Sequence, residues 1–361
     1  MSTIALRRLT KVFGDLVAVN AVDLDVGAGE VVCLLGPSGC GKTTTLRLIA
    51  GLESATAGDV LLGGRPVNHL PPRARNVSMV FQFYALYPTL TVRENLAYPL
   101  HAGRLSAAEI RERVARVAAN LDLGSILDRR PRELAEGEKQ RVAVGRAIIR
   151  DPSCFLFDEP LSRLDVQLRE TMRAQLKELL TTLQRATVIV THDQLEALTI
   201  ADRIAVMRDG VIEQIATPHE VFARPENLFV ASFIGTPQMN FLPATVIGSA
   251  DGGLRFRVGA QDATLAVDPA VSRLAAGSPV TLGIRPRGLD LVAEPAAGTL
   301  AARVDLIEPM GAETLVHLVE GGHELRVVVD HRVSVEVGSR LHVRPRPAQT
   351  HVFDAAERRV R

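Results

Sequence analysis

Residues 36–43 read GPSGCGKT, a spacing suited to holding phosphate. The pattern G-x-x-x-x-G-K-[ST] follows the apolar run EVVCLLG (30–36) and opens a helical stretch over 42–50. Gly36, Gly39 and Gly41 let the backbone turn its N–H groups toward phosphate oxygens with no Cβ in the way. Pro37, Ser38 and Cys40 complete the loop, and Thr44 follows it into the helix. Lys42 places a point charge near the β- and γ-phosphates, and the Thr43 hydroxyl can ligate Mg²⁺. A Gly-rich turn matches this pattern by chance on the order of once per hundred chains of this length. The strand before it and the helix after it make chance rarer still.

FLFDEP (155–160) supplies a complementary pair. An apolar strand delivers Asp158 to its carboxyl end, where a carboxylate can hold the shell of a Mg²⁺ ion. Glu159, the next residue, can polarise an attacking water. An acidic pair after a strand is ordinarily a solvated loop; beside a phosphate loop it becomes a metal ligand and a base.

The elements that position these residues follow from periodicity. NVSMVFQ (76–82), CFLFDEP and ATVIVTHD read as strands, whereas 107–123 and 166–184 carry helical apolar spacing. Such alternation predicts an α/β domain with a largely parallel sheet over residues 1–235, with a mainly helical insert over about 88–150. From 236 to 361 the texture changes to short Val/Leu-rich strands between DGG, EGGH and RPR, which predicts a small all-β barrel or sandwich. The chain has 361 residues and a net charge of +1, enough for two cores and with no broad attraction to nucleic acid or membrane. Lysine occurs only at 11, 42, 139 and 177, a bias we read as compositional. Cys33, Cys40 and Cys154 form no disulfide framework and fit a reducing compartment. MSTIALRRLT lacks the apolar core of a signal peptide, and no apolar run is long enough to span a bilayer.

With these motifs in order, the chain resembles the ATPase subunit of an ABC transporter. It is most similar to the maltose-importer-like subfamily that energises sugar and glycerol-3-phosphate import. The resemblance implies further roles. Gln82 in MVFQFYALYP matches a glutamine that senses Mg²⁺ and the attacking water, and His192 in VIVTHDQLEA matches a switch histidine at the γ-phosphate. Phe13 in TKVFGD falls where an aromatic meets adenine, and Asp165 in LSRLDVQLR lies on the loop that crosses a dimer interface. Taken singly, Gln82 reads as a strand-end polar residue, His192 as a surface histidine and Phe13 as a core residue. ATP and Mg²⁺ are the implied cofactors. The implied partners are a second ATPase subunit (a copy or a paralogue), two transmembrane permease subunits and, indirectly, a solute-binding protein, all at the cytoplasmic face of the membrane. All three tyrosines, Tyr84, Tyr87 and Tyr98, lie just after Gln82 and form either an insert core or a dock for the permease. FIGTPQMNFLP, LGIRPRGL and VDLIEPMGAETLVHL resemble the OB-like regulatory module of the subfamily. With only Phe241, Phe256 and Phe353 as aromatics, that module is poorly equipped for stacking ligands, and a dimer-stabilising or regulator-docking role is expected instead.

One motif departs from the family. The signature L-S-G-G-Q is here Leu134, Ala135, Glu136, Gly137 and Glu138. The family serine bonds the γ-phosphate on the partner subunit; Ala135 can neither do so nor cap the helix. Glu136 and Glu138 suit a helix N-terminus but bring negative charge toward a polyphosphate. Since Glu159 and His192 are retained, an active but atypical ATPase is expected. The alternatives are import of a polyamine, ferric iron or an oxyanion, and a nucleotide-binding regulatory subunit with negligible turnover.

Overall fold

In the computed structural model, the run VVCLL lies in mid-sheet with every residue buried, as a strand covered on both faces must be. The structure describes residues 3–103, 105–162, 164–250, 253–265, 271, 274–292, 294–296 and 298–360. Arg163, within LSRLDVQLR, lies outside them, as do two residues of DGG. The chain divides into two units, Met1–His219 and Glu220–Arg361.

In chain order the first unit has β1 (Ile4–Phe13), β2 (Leu16–Val26), β3 (Val31–Leu35), α1 (Lys42–Ala50), β4 (Ala57–Leu62), β5 (Arg65–Pro66) and β6 (Val77–Val80). The helical insert follows as α2 (Val92–Ala97), α3 (Ala107–Asn120) and α4 (Glu136–Ile148). The chain then returns through β7 (Cys154–Asp158), α5 (Val166–Leu183), β8 (Ala186–Thr191), α6 (Gln194–Ile200), β9 (Arg203–Arg208) and β10 (Val211–Ala216). Six strands form one sheet in the order β10-β9-β3-β8-β7-β6. All its pairings are parallel except that of β10 with β9. A second, antiparallel sheet, β2-β1-β4-β5, was not foreseen. Leu46 and Ile49 of α1 share one core with Leu6 and Leu24 of the antiparallel sheet and Val32 and Val190 of the parallel one. Each such fully buried Leu or Ile contributes about 1.5–3 kcal/mol.

Parallel topology brings the carboxyl ends of β3, β8, β7 and β6 to one edge. The phosphate loop follows β3, His192 follows β8, Glu159 follows β7, and Gln82 lies two residues beyond β6. Residues scattered over more than 150 positions of sequence therefore converge through strand order alone. In the insert, α3 starts on a reciprocal cap in which the Glu109 side chain accepts from the Ser106 N–H at 2.7 Å while Ser106 Oγ accepts from the Glu109 N–H.

The second unit contains α7 (Pro218–Ala223), whose first residues belong to the unit before it, and α8 (Leu228–Phe233). Its strands are β11 (Asn240–Ala250), β12 (Gly253–Val258), β13 (Gln261–Leu265), β14 (Pro279–Ile284) and β15 (Leu289–Val292), then β16 (Leu300–Pro309), β17 (Glu313–Glu320), β18 (His323–Asp330), β19 (Arg340–Pro345) and β20 (Thr350–Phe353). They form two antiparallel five-stranded sheets, β13-β12-β11-β14-β20 and β15-β19-β16-β17-β18. The sheets share a core that includes Phe256, Leu282, Val316 and Val343. EGGH closes β17 onto β18 with a two-residue turn.

Candidate functional site

Steric constraints fix the phosphate loop. A Cβ on Gly36 would stand 2.3 Å from the Met207 carbonyl oxygen. One on Gly41, where φ is +104°, would stand 2.3 Å from that of Ala18. No other residue type fits either position. The loop ends where α1 begins, so the unpaired N–H groups of the first helical turn border it. Lys42 is buried, and its ammonium donates to the carbonyls of Gly36 (2.8 Å) and Pro37 (2.9 Å). Cys40 is 3% exposed, and burial pushes its thiol above the usual range. Thr43 Oγ1 donates to Asp158 Oδ1 at 3.0 Å, joining the loop to the end of β7. Burial raises the Asp158 carboxyl above its ordinary value; the Thr43 hydrogen bond opposes this and the neighbouring Glu159 charge adds to it.

Glu159 has a left-handed backbone, φ +48°, uncommon for a residue with a side chain. Its carboxylate is held from two sides. Gln82 Nε2 donates to Oε2 at 2.9 Å, and His192 Nδ1 lies 3.2 Å from Oε1. His192 is more than half exposed. Phe13 closes β1 with 43% of its surface exposed, and the Lys11 ammonium stands 4.6 Å from its ring. It is therefore not a core residue.

The altered signature occupies the start of α4. Leu134 and Gly137 are buried, and a Cβ on Gly137 would stand 3.0 Å from Leu168 Cδ2 on α5. Ala135 takes the N-cap position with no side-chain cap. Half of a capping box survives: Glu138 Oε2 accepts the Ala135 N–H at 2.8 Å. Glu136 pairs with Lys139 at 2.6 Å. Both carboxylates are thus engaged within the first turn of the helix. Asp165 caps α5, its Oδ1 accepting the Leu168 N–H at 2.9 Å.

Two residues not anticipated from the sequence join these pieces. Arg169 donates to the Leu164 carbonyl at 2.9 Å and to Asp193 Oδ2 at 3.3 Å, tying the loop before Asp165 to the residue after His192. Neither partner is Asp165, one helical turn away, so spacing carried no signal for these contacts. Glu196, 2% exposed, accepts from Thr191 Oγ1 at 2.8 Å, and burial pushes its carboxyl up to about 7. Beyond Gln82, Phe81, Tyr84, Tyr87, Tyr98 and Arg146 line a groove of about 670 Å³. The Tyr87 and Tyr98 rings are 4.3 Å apart, and the Arg146 guanidinium lies 4.8 Å over Tyr87. Tyr98 is 49% exposed, so this cluster is no closed core.

Comparison with known proteins agrees with this geometry. Residues 19–162 match the ABC transporter family, 235–287 the MalK OB fold domain and 282–353 the TOBE domain. The chain is 48% identical over 360 residues to an sn-glycerol-3-phosphate import ATP-binding protein of Cereibacter sphaeroides, covering 98% of each. It is 45% identical to a sulfoquinovosyl glycerol transport ATP-binding protein of Agrobacterium fabrum, covering 99% of each. Among solved structures it is similar to a dimeric ATP-binding cassette in a post-hydrolysis state bound to ADP and Pi. That likeness has a TM-score of 0.54 at 32% identity, over 60% of this chain and 98% of the other.

Proposed function

Because the chain belongs to the ABC transporter family, as the ATP-binding and ATP-hydrolysing subunit of an importer, we propose that it energises uptake of a glycerol phosphate or related carbohydrate, with Glu159 as the base. The observation that carries the reading is the two-sided grip on Glu159 by Gln82 and His192, beside a complete phosphate loop. Lys42 anchors the β- and γ-phosphates of ATP, and Phe13 offers its exposed face to the base. Glu159 takes a proton from the attacking water, which Gln82 and His192 orient at the γ-phosphate.

Thr43, Asp158 and Gln82 bring a hydroxyl, a carboxylate and an amide oxygen, the hard donors that Mg²⁺ prefers alongside phosphate oxygens. Among the described residues the buried Asp158 forms no salt bridge and accepts from the Thr43 hydroxyl at 3.0 Å. Lys42 and Arg47 act on it only through their charge, which leaves it fit to hold a cation. Mg²⁺ bound there supplies charge neutralisation of the phosphates.

Catalysis is assigned to residues 1–235, with the helical subdomain over about 88–150, and regulation to 236–361. A second ATPase subunit, a copy or a paralogue, presents its Ala135, Gly137 and Asp165 to the nucleotide. The aromatic groove after Gln82 takes a permease subunit, which links the site to transport. Two permeases, a solute-binding protein and a regulator at the β domain complete the assembly, with this subunit peripheral at the cytoplasmic face. No described helix is long and apolar enough to cross a membrane.

Glu159→Gln tests the assignment. It should retain Mg-ATP and accumulate closed dimers while steady-state turnover falls at least about a hundredfold. Turnover like that of the wild type would remove Glu159 as the base.

A further inference from the structure

Between β6 and α2 the chain runs through residues 81–91 with neither helix nor strand, and Gln82 lies at the start of that run. Irregular backbone can aim a side chain only where other elements fix it. At the far end one side chain does the fixing. Asn95 of α2, 0% exposed, accepts from the Tyr87 N–H at 2.9 Å and donates to the carbonyls of Tyr87, Leu90 and Thr91. Nearer Gln82 the hold comes from α4. The Arg146 guanidinium donates to the carbonyl of Ala85, and its central carbon lies 4.8 Å over the Tyr87 ring. Ala85 has a left-handed backbone, φ +50°, which a residue with a Cβ keeps only where its surroundings impose it. The helices behind the two contacts are packed on each other. A Cβ on Gly145, next to Arg146, would stand 2.7 Å from Leu96 Cδ2, next to Asn95.

Arg146 carries a charge that packing does not require. It is half-buried, and no carboxylate acts on it. Burial pushes its guanidinium below the usual arginine range, with only Tyr87 and Tyr98 opposing that shift. A cation drawn partly out of water without an anion is costly, and Leu or Met would fill the same space. As the basic residue in the last turn of α4 it complements the helix dipole, but a fully solvated side chain in that turn would do so as well. What the guanidinium adds is a planar fork that meets a carbonyl and an aromatic face together.

We propose that Arg146 is a positioning residue for Gln82: by clamping Ala85 and Tyr87 to α4, it fixes the direction from which the glutamine meets Glu159. Gln82 Nε2 stands 2.9 Å from the Glu159 carboxylate, a contact that survives only while the backbone just after Gln82 is held. With Ala85 released, the amide loses its fixed approach to that carboxylate and to the water it orients, and turnover falls without loss of nucleotide. Arg146 also lies on the helix that opens with the altered signature, about 15 Å along it from Glu136. The signature turn and the glutamine of one chain therefore hang from the two ends of a single rod. The inference rests on the assignment of Gln82 to the attacking water, and its test separates the two.

Steady-state hydrolysis of Mg-ATP by the full chain is measured for wild type, Arg146→Ala, Gln82→Ala and the double variant. Gln82→Ala should lower maximal turnover at least about tenfold. Arg146→Ala should lower it about tenfold, with KM changed by no more than about twofold. In the Gln82→Ala background the same substitution should cost no more than about twofold, because it acts through a side chain already removed. Arg146→Lys keeps a donor and a cation and should recover part of the loss. A second reading needs no nucleotide. The chain has three tyrosines, all lining the groove that Arg146 borders, and no tryptophan, so circular dichroism in the tyrosine band reports the clamp. Arg146→Ala should weaken that band and Arg146→Lys restore part of it. Equal losses of turnover in both backgrounds would make Arg146 a structural residue and overturn the proposal while leaving Gln82 its role. So would a raised KM at unchanged maximal rate, or a tyrosine band untouched by Arg146→Ala. Wild-type turnover in Gln82→Ala would remove the glutamine from the reaction, and the proposal with it. If Arg146→Ala does not fold, the same cycle is run with Arg146→Lys, whose smaller loss should likewise vanish in the Gln82→Ala background.

Discussion

Two short stretches of one unit, assigned to the same ligand class by the proposed reading, are built under different constraints. In the phosphate loop, the positions that fix its shape are held by their own chain. Gly36 and Gly41 have carbonyl oxygens where a Cβ would go, the Lys42 ammonium bridges two carbonyls, and Thr43 is tied to Asp158. In the signature turn, three of five positions depart from the family pattern, yet α4 begins at Glu136 with an extended N-cap at Ala135. Glu138 supplies the cap from the opposite direction. The loop is constrained by its own fold; in the proposed reading, the turn is constrained chiefly by what it touches on another subunit. A sequence can drift in the second without penalty to folding, so any cost should appear in the catalytic cycle.

The comparison is broken most forcefully at Lys42. Lys42→Ala removes the charge proposed to anchor phosphate and leaves two loop carbonyls without their donor. ATP affinity, measured by equilibrium binding, should fall by about a hundredfold, whereas Glu159→Gln should leave it near that of the wild type. If Lys42→Ala bound ATP normally, the loop would not be the site of phosphate recognition.

A smaller effect of opposite sign is expected in the signature. A hydrogen bond to a charged group contributes about 1.5–3 kcal/mol, so restoring the serine should raise turnover roughly ten- to a hundredfold. The Glu136–Lys139 pair changes how that gain divides between the two positions. With Glu136 already neutralised by a neighbour, Ala135→Ser should supply most of the gain, and Glu136→Gly should add little and depend weakly on salt. The measurement is steady-state ATP hydrolysis by the single and double variants at low and high ionic strength. Equal rates in wild type and double variant would mean that the contact is replaced elsewhere.

What could be read from the sequence follows the same division. Motifs governed by local sterics and strand ends were legible: the loop follows β3 and the Asp158–Glu159 pair stands at the end of β7, as strand alternation puts them. Gln82 and His192, singled out only by family resemblance, lie just beyond β6 and β8. The antiparallel sheet was not legible. β1 and β2 pair with register shifts around Leu9 and Lys11, which blur the two-residue period that would have announced them. The six-residue helices α7 and α8 are too short to show a helical period. Nor could spacing reveal that Glu138 turns back to cap Ala135, or that Arg169 reaches both Leu164 and Asp193. Those contacts depend on side-chain direction, which composition does not carry.

Arg169 is where the two halves meet, since it ties the loop before Asp165 to the segment after His192. Arg169→Ala should lower turnover at saturating ATP by about tenfold, the loss of one charged hydrogen bond at a positioning residue, with little change in KM. Arg169→Lys keeps the charge but not the fork and should recover only part of that loss. A rise in KM with unchanged maximal rate would show that Arg169 serves nucleotide binding instead of the placement of His192.

The smallest effect on the cycle is expected beneath that joint, at Glu196. Burial raises its carboxyl from 4.5 to about 7, with Asp193 adding to the rise and the Thr191 hydrogen bond and the Arg173 and Arg169 charges opposing it. Between those two values the folded chain holds a proton that the unfolded chain has released. Stability contributed by this group is therefore greatest at or below about pH 4.5 and is lost as pH climbs to about 7, levelling off above it. The shift corresponds to up to about 3 kcal/mol across the window. Glu196→Gln retains an oxygen to accept from Thr191 and cannot ionise, so its stability should fall less than that of the wild type between pH 5 and pH 8, with turnover at neutral pH changed by no more than about twofold. Denaturant midpoints at a series of pH values measure the difference between the two chains, which removes every other titrating group common to both. Parallel curves would mean that Glu196 is ionised in the folded state. It would then compete with Asp193 for the Arg169 charge, and the tie between the loop before Asp165 and the segment after His192 would have to be shared among three residues instead of two.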